Sequence, residues 1–491
     1  MTVRWGTARA RGVLATTILG SGMAMLDGSI VNVALPRIGK ELNASVAGLQ
    51  WILDGYLLAL ASLILIAGSL GDRYGRRRTF VVGVVWFGAA SVLCGLAVST
   101  PMLVVTRVLQ GIGGALLTPG SLAILQATFA REDRGRAIGA WSGLGGIAAA
   151  VGPLVGGLLV QVWSWRLGFL INLPIAVVCV WLAGKYVPES RDETVTGKLD
   201  VRGSVLGALG LAGVTAALVE APGRGVADPL VLGAVVAGIG GLAVFVWLQV
   251  REAAPLVPPA MFADRTFSLS NGLTFVVYAA LGGVMMLLVL QLQVSLGYSP
   301  TAAGIAGLPI TIIMLLLSGR SGALAQRIGP RTQLVVGPLV LAAGMLLLMR
   351  VAPGASYLGS VLPGVVVFGL GLATMVAPVT ATVLAAVPDE HAGVASGVNN
   401  AIARAGSLIA IAVLPAIAGL GGESYADPGA LTAGWRMSLL VCAGLAVLGG
   451  LLAVGVRNSV LAPGPVVPQQ KMDLGNCLHC AVEAPPAHLR G

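Results

Sequence analysis

The sequence predicts an all-α polytopic membrane protein with fourteen transmembrane helices, arranged as two parallel six-helix repeats plus two linker helices. Three observations carry that expectation. The 491 residues are 56% hydrophobic and only 10% charged, where a soluble domain carries roughly 25% charged residues. Apolar runs of about 20 residues, the length that spans a hydrocarbon core, recur from residue 13 to residue 456. The chain also repeats itself: "GSLGDRYGRR" at 68–77 aligns with "GALAQRIGPR" at 322–331, an offset of 254 residues.

Taken in order, charged, Pro-rich or turn-like stretches cut the chain into candidate helices that start near residues 13, 48, 79, 102, 137 and 167. The polar segment "PESRDETVTGKLDVRG" (188–203) follows, then starts near 204 and 229, and a last group near 268, 303, 332, 357, 393 and 434. The first run is too long for a signal-peptide core and lacks a small-residue cleavage site, so it is read as a helix that stays. The two copies of the repeated motif join helices 2 and 3 and helices 10 and 11, so the halves share one orientation. Parallel repeats of this kind are a transporter signature. The expected plan is an N-terminal bundle over 1–190, a linker with helices 7 and 8 over 191–262, a C-terminal bundle over 263–457, and a disordered tail over 458–491. Seventy glycines, about 14% of the chain against roughly 7% on average, suit close helix packing.

With the N-terminus in the cytoplasm, 22 of the 30 Lys and Arg fall on the cytoplasmic side, 6 outside, and 2, Arg107 and Arg404, within helices. That bias sets the orientation, with both termini cytoplasmic in a cell membrane. The net charge of +10 reads as topology and contact with anionic lipid rather than nucleic-acid binding.

Ionisable residues inside a membrane are costly and default to a functional reading. Asp27 interrupts the apolar run "GMAMLDGSIVNVALP" about nine residues from the outer end of helix 1. Asp54 lies about six residues into helix 2 and Arg107 about six into helix 4, both from that same side, so at ~1.5 Å per residue all three fall near one depth. An arginine holds a neighbouring carboxylate ionised while burial opposes its charge, a balance from which a proton can be taken up and released. Asp54 is read as part of this cluster or as a contact for substrate charge. Asn32, Trp51, Tyr56, Gln110, Asn400 and Arg404 are candidates for a cavity wall, and Glu220, at the end of helix 7, is expected to be solvated. Asp27 and Asp54 together suit a lipophilic cation; a neutral antibiotic-like molecule is the alternative.

The short loop "GDRYGRRRTF" brackets Asp72 and Arg73 between Gly71 and Gly75, with Arg76 following. Gly75 allows a tight turn, and Asp72 is placed to meet cationic groups of the other half, as in a cytoplasmic gate. In helix 5, Gly152, Pro153, Gly156 and Gly157 combine close approach with a proline bend.

No G-x-x-x-x-G-K-[ST] segment is present, so the chain has no ATP site of that type. No histidine falls in a candidate helix, and no nucleophile–base or metal constellation occurs there, so no cofactor and no enzyme activity are expected. Cys477 and Cys480, with His479 and His488, lie in a short Pro-rich tail that reads as disordered, with zinc binding the alternative.

These motifs resemble the major facilitator superfamily and, within it, the fourteen-helix drug:proton antiporters, the multidrug efflux permeases. "LDGSIVNVALP" (26–36) resembles that family's helix 1 motif, "GSLGDRYGRRR" (68–78) the superfamily's loop 2–3 motif, "RVLQGIGGA" (107–115) its helix 4 proton-relay motif and "GPLVGG" (152–157) its helix 5 antiporter motif. "WSWRLGFLINLPIA" (163–176) matches the stretch leading into helix 6. The resemblance implies proton-driven efflux of drugs or other lipophilic small molecules by alternating access. It assigns Asp27 and Arg107 to proton coupling, Asp72, Arg73, Gly75 and Arg76 to the gate, and Gly152, Pro153, Gly156 and Gly157 to the bend that limits proton leak. Asp54 departs from the family pattern, and Gln326 replaces the acid in the second loop. Proton-coupled uptake on the same fold is the rival reading, which "GPLVGG" opposes; a non-transporting membrane enzyme or sensor is a second.

Overall fold

Each apolar run becomes a helix because a backbone in hydrocarbon must satisfy its own polar groups, and short polar residues set where the helices begin. Thr7, Ser45, Ser99, Asp200, Asp228, Asp264, Ser299 and Asp427 each cap a helix by accepting a backbone N–H. The computed structural model describes residues 3–130, 133–191, 200–252, 255, 257–388, 392–420 and 427–461, with side chains described for all of these except 135, 142–150 and 392–393. The Cys477 and Cys480 tail lies outside the described residues.

Among the described residues, thirteen helices are long and apolar enough to cross a membrane. They are α1 (Ala8–Leu42), α2 (Val46–Tyr74), α3 (Arg76–Gly95), α4 (Thr100–Thr128), α6 (Trp165–Tyr186), α7 (Val201–Arg224), α8 (Pro229–Arg251), α9 (Arg265–Ser295), α10 (Pro300–Ile328), α11 (Arg331–Leu348), α12 (Tyr357–Ala385), α13 (Val394–Ile417) and α14 (Pro428–Val454). The helix Arg134–Val162, α5, completes the set of fourteen. α1 begins at Ala8 and continues through Pro36 to Leu42, further at both ends than the apolar run suggests.

The packing repeats as well as the sequence. α3 packs on α4, α2 on α4, α1 on α5, and α6 on both α1 and α3; the same pairs recur with every number raised by eight. The turns in the two motif copies match. Gly75 and Gly329 both adopt positive φ, +113° and +84°, a backbone open to glycine. Each is followed by a helix whose first N–H groups are capped from the end of its own half: Glu189 accepts from the Arg77 and Arg78 amides at 3.0 and 3.2 Å. Asn458 accepts from the Arg331 amide at 3.2 Å. A polar residue just past the last helix of each half thus closes both turns.

The halves meet along three lines, α2 on α13, α5 on α10, and α1 on α9. The α7–α8 hairpin attaches through α7, which packs on both α2 and α13.

Candidate functional site

Between the halves lies a cavity of about 1050 Å³. Its wall reaches Asp72, Arg76 and Thr79 at the end of the molecule that carries the Gly75 turn. At the opposite end it stops near Val33, Leu53 and Ile411. There the halves are tied by hydrogen bonds: the Gln50 amide donates to the carbonyls of Ile411 and Ala412 at 2.8 and 3.1 Å, and that of Gln293 donates to Val33 at 3.0 Å. Pro415 explains the first tie, because a proline has no N–H to give the carbonyl four residues earlier, and Gln50 supplies the missing donor. The cavity is therefore open at one end and closed at the other.

Asp27 and Arg107 meet as the sequence reading places them. Arg107 Nη1 donates to Asp27 Oδ2 at 2.5 Å, with both side chains at most 1% exposed. The second carboxylate oxygen accepts from Gln110 Nε2 at 2.7 Å and Asn172 Nδ2 at 3.3 Å. Arg107 is itself held by the Gln110 side-chain oxygen at 2.6 Å and the Ile52 carbonyl at 3.0 Å, and its guanidinium lies 4.3 Å from the centre of the Tyr56 ring. Ser91 completes the cluster by accepting from Gln110 at 2.8 Å and Asn172 at 3.3 Å. Five helices thus converge on one carboxylate, and a buried charge is tolerated when its lone pairs are met in this way. Ser91 and Asn172 were not singled out in the sequence, although an asparagine inside "LINLPIA" was a visible signal.

Two positions differ from the sequence reading. Gln110 does not line the cavity, because its amide is consumed by Asp27 and Ser91. Trp51 does not line it either: its indole N–H donates to Glu220 at 3.0 Å, tying α2 to α7, and Glu220 also pairs with Arg224 rather than standing free in solvent. Asn32, Tyr56, Asn400 and Arg404 do line the cavity.

Asp54 does not join Asp27. It is fully buried, and neither carboxylate oxygen has a hydrogen-bond partner among the described residues. At about 100° per residue it falls on the far side of α2 from Tyr56, between Gln50, which reaches α13, and Trp51, which reaches α7. It is absent from the cavity wall, as is Asp27.

At the open end Asp72 pairs within its own half, with Arg76 at 2.8 Å, and both face the mouth. Arg73 sits beside them in the last turn of α2. The helix 5 glycines divide their work. A Cβ on Gly152 or Gly156 would come within 2.7 Å of Ser29 or 2.8 Å of Ile30, so these two positions seat α5 on α1 just beyond Asp27. A Cβ on Gly157 would lie 2.6 Å from Thr301, and Pro153 abuts Gly304, so that edge forms the α5–α10 contact between the halves. Among the described residues no cluster of His, Cys, Asp and Glu could hold a metal ion.

A two-fold repeat of six helices around a central cavity open at one end, with a buried ion pair beside it, defines a secondary-transporter architecture. The chain belongs to the Major Facilitator Superfamily, whose sequence model matches residues 17–411 and, in a second match, 270–473. It is accordingly a multi-pass membrane transporter and not an enzyme. It is 36% identical over 405 residues to the multidrug resistance protein Stp of Mycobacterium tuberculosis, covering 82% of this chain and 75% of that one. It is 38% identical over 403 residues to the tetracenomycin C resistance and export protein of Streptomyces glaucescens, covering 82% and 74%. It is 34% identical over 444 residues to the puromycin resistance protein pur8 of Streptomyces alboniger, covering 88% of each. Among solved structures, a peptide transporter of the POT family in complex with sulfate superposes with a TM-score of 0.69 at 15% identity, over 94% of this chain and 97% of that one, a likeness of fold alone.

Proposed function

We propose that this transporter exports small antibiotic-like molecules across the cytoplasmic membrane in exchange for protons, by alternating access. The moving bodies are residues 1–190 and 263–457, joined by the linker helices of 191–262, with both termini in the cytoplasm. In that orientation the described conformation faces inward. The observation that carries the reading is the Asp27–Arg107 pair, fully buried next to a cavity open at one end only. Relatives named for resistance to puromycin and for resistance to and export of tetracenomycin C support export of this class of compound.

The steps follow from the geometry. Asp27 is ionised while Arg107, Gln110 and Asn172 all donate to it. A proton arriving when the outer face is open cancels the ion pair and leaves Arg107 with the Ile52 carbonyl, the Gln110 oxygen and the Tyr56 ring. That loosens the tie of α1 to α4 and shifts the balance between the two conformations. Inward opening re-forms the pair, releases the proton to the cytoplasm and admits substrate. Because Asp27 is off the cavity wall, the coupling runs through helix position rather than through direct competition for one carboxylate. The Gly152 and Gly156 contacts hold α1 and α5 together beside Asp27 and restrict water there.

The test is export from intact cells of a panel of fluorescein, rhodamine 123, ethidium and puromycin. At least one should be exported against its gradient, with export abolished by a protonophore while ATP is held constant. Protonophore-insensitive export, or proton-driven accumulation inside the cell, contradicts the reading.

A further inference from the structure

The charges on the cavity wall are not those a cation would need. Among the described residues, apart from Asp72, which pairs with Arg76 at the mouth, no carboxylate lines the cavity; Asp27 is sealed behind Arg107 and Asp54 is turned away on α2. Two of the described arginines line the wall beyond the mouth, and they differ sharply. Arg107 is neutralised by Asp27 and held by further acceptors. Arg404 has no hydrogen-bond or ion-pair partner among the described residues, although it stands inside a membrane-spanning helix. It sits midway along the stripe of α13 that faces the cavity, between Gly397 near the mouth and Ile411 at the closed end. A guanidinium there is costly without an acceptor, and nothing on α2, α9 or α13 supplies one. The residues around it are Tyr56, Tyr278 and Asn400, with Arg404 within electrostatic reach of both tyrosines. Trp141, Met25 and Met285 add flat and deformable apolar surface.

We infer that the cavity takes an aromatic acid: a planar, polycyclic molecule carrying a carboxylate or an ionised phenol, whose anionic group pairs with Arg404 while its rings lie against Tyr56 and Tyr278. The guanidinium provides the planar fork that matches a carboxylate, and about 1050 Å³ accommodates several fused rings. The inference rests on this cavity being the substrate site of the proposed exporter. It replaces the lipophilic cation suggested by the two sequence aspartates, because neither of them reaches the wall.

The test measures equilibrium binding to the purified full chain in detergent, where no proton gradient is needed. Fluorescein, an aromatic dianion at neutral pH, is compared with rhodamine 123, a cation built on the same xanthene ring. Fluorescein is expected to bind at least ten-fold more tightly. Arg404→Gln should weaken fluorescein at least ten-fold and leave rhodamine 123 unchanged or improved, with Arg404→Lys between wild type and Gln. The comparison of the two dyes on the wild-type chain needs no variant, so it decides the matter even if Arg404→Gln does not fold. Tighter binding of rhodamine 123, no binding of fluorescein, or fluorescein affinity indifferent to Arg404→Gln overturns the inference. The two readings fail separately. Arg404-dependent fluorescein binding without proton-driven export leaves this inference standing and removes the export reading; proton-driven export of rhodamine 123 without fluorescein binding does the reverse.

Discussion

Removing the Gln50 amide should release the closed end of the molecule. Its two hydrogen bonds cross from α2 to α13, and one of their acceptors, the Ile411 carbonyl, has Pro415 where its helical donor would stand. In Gln50→Ala that carbonyl is buried and unsatisfied as long as the end stays closed, and meets water once it opens. A buried unsatisfied acceptor costs about 1–3 kcal/mol, and the whole of that cost falls on the closed conformation. The equilibrium should therefore move toward opening at this end by about 5- to 150-fold. The assay is double electron–electron resonance between spin labels at Val98, 79% exposed in the α3–α4 turn, and Leu358, 74% exposed at the start of α12 on the other half. The labels are placed in a background without the native cysteines. A longer-distance population should grow in Gln50→Ala and, to a lesser degree, in Gln293→Ala, which loses a single bond to Val33. Distance distributions identical to those of the unsubstituted chain would refute the reasoning, because the latch would then carry no part of the conformational balance.

Other consequences follow from the same geometry. Arg107→Ala strands a buried carboxylate and should cost about 3–5 kcal/mol, seen as a lower Tm and poor recovery in detergent, whereas Arg107→Ala combined with Asp27→Leu should recover most of that loss. Asp54→Leu replaces two unpartnered oxygens by apolar volume and should raise the Tm of the described conformation; a fall in Tm would mean that Asp54 has a partner in that state. Gly156→Val drives a side chain into Ile30 and should let protons cross without substrate, measured as faster collapse of an imposed pH gradient in proteoliposomes. Trp51→Phe removes the bond to Glu220 and should leave substrate affinity within two-fold, since the indole is off the cavity wall.

The fold was legible because membrane helices declare themselves by length and apolarity, and because the Gly75 and Gly329 turns keep the same letters around them. The Asp27–Arg107 meeting was legible from depth alone, since helix 1 ends and helix 4 starts on the same side, which brings a residue nine positions before the one end and a residue six positions after the other start close to one level. Depth says nothing about direction around a helix, which is why Asp54, at the same level, was grouped with a pair it turns away from. Gln110 and Trp51 were misassigned for a related reason. A polar residue in an apolar run announces that it has a partner but not which one, and Asp27 and Glu220 took both. The Gln50 tie was not legible: it needs α13 beside α2, and the proline that makes it necessary lies 365 residues further on. Arg404 was picked out as an intramembrane charge, yet only the surrounding wall shows that no described residue answers it.

The claim at the centre of the account is that a proton bound at Asp27 drives transport. The measurement that meets it most directly is proton movement triggered by substrate in proteoliposomes, with a pH dye inside and an exported member of the probe panel added outside. Wild type is compared with Asp27→Asn, an isosteric change, at matched protein content and with binding of the same probe measured in parallel. The account predicts that wild type moves protons and probe in opposite directions, and that Asp27→Asn binds the probe but moves neither. Substrate-triggered proton flux of equal rate in Asp27→Asn would contradict it and place the proton site elsewhere in the molecule.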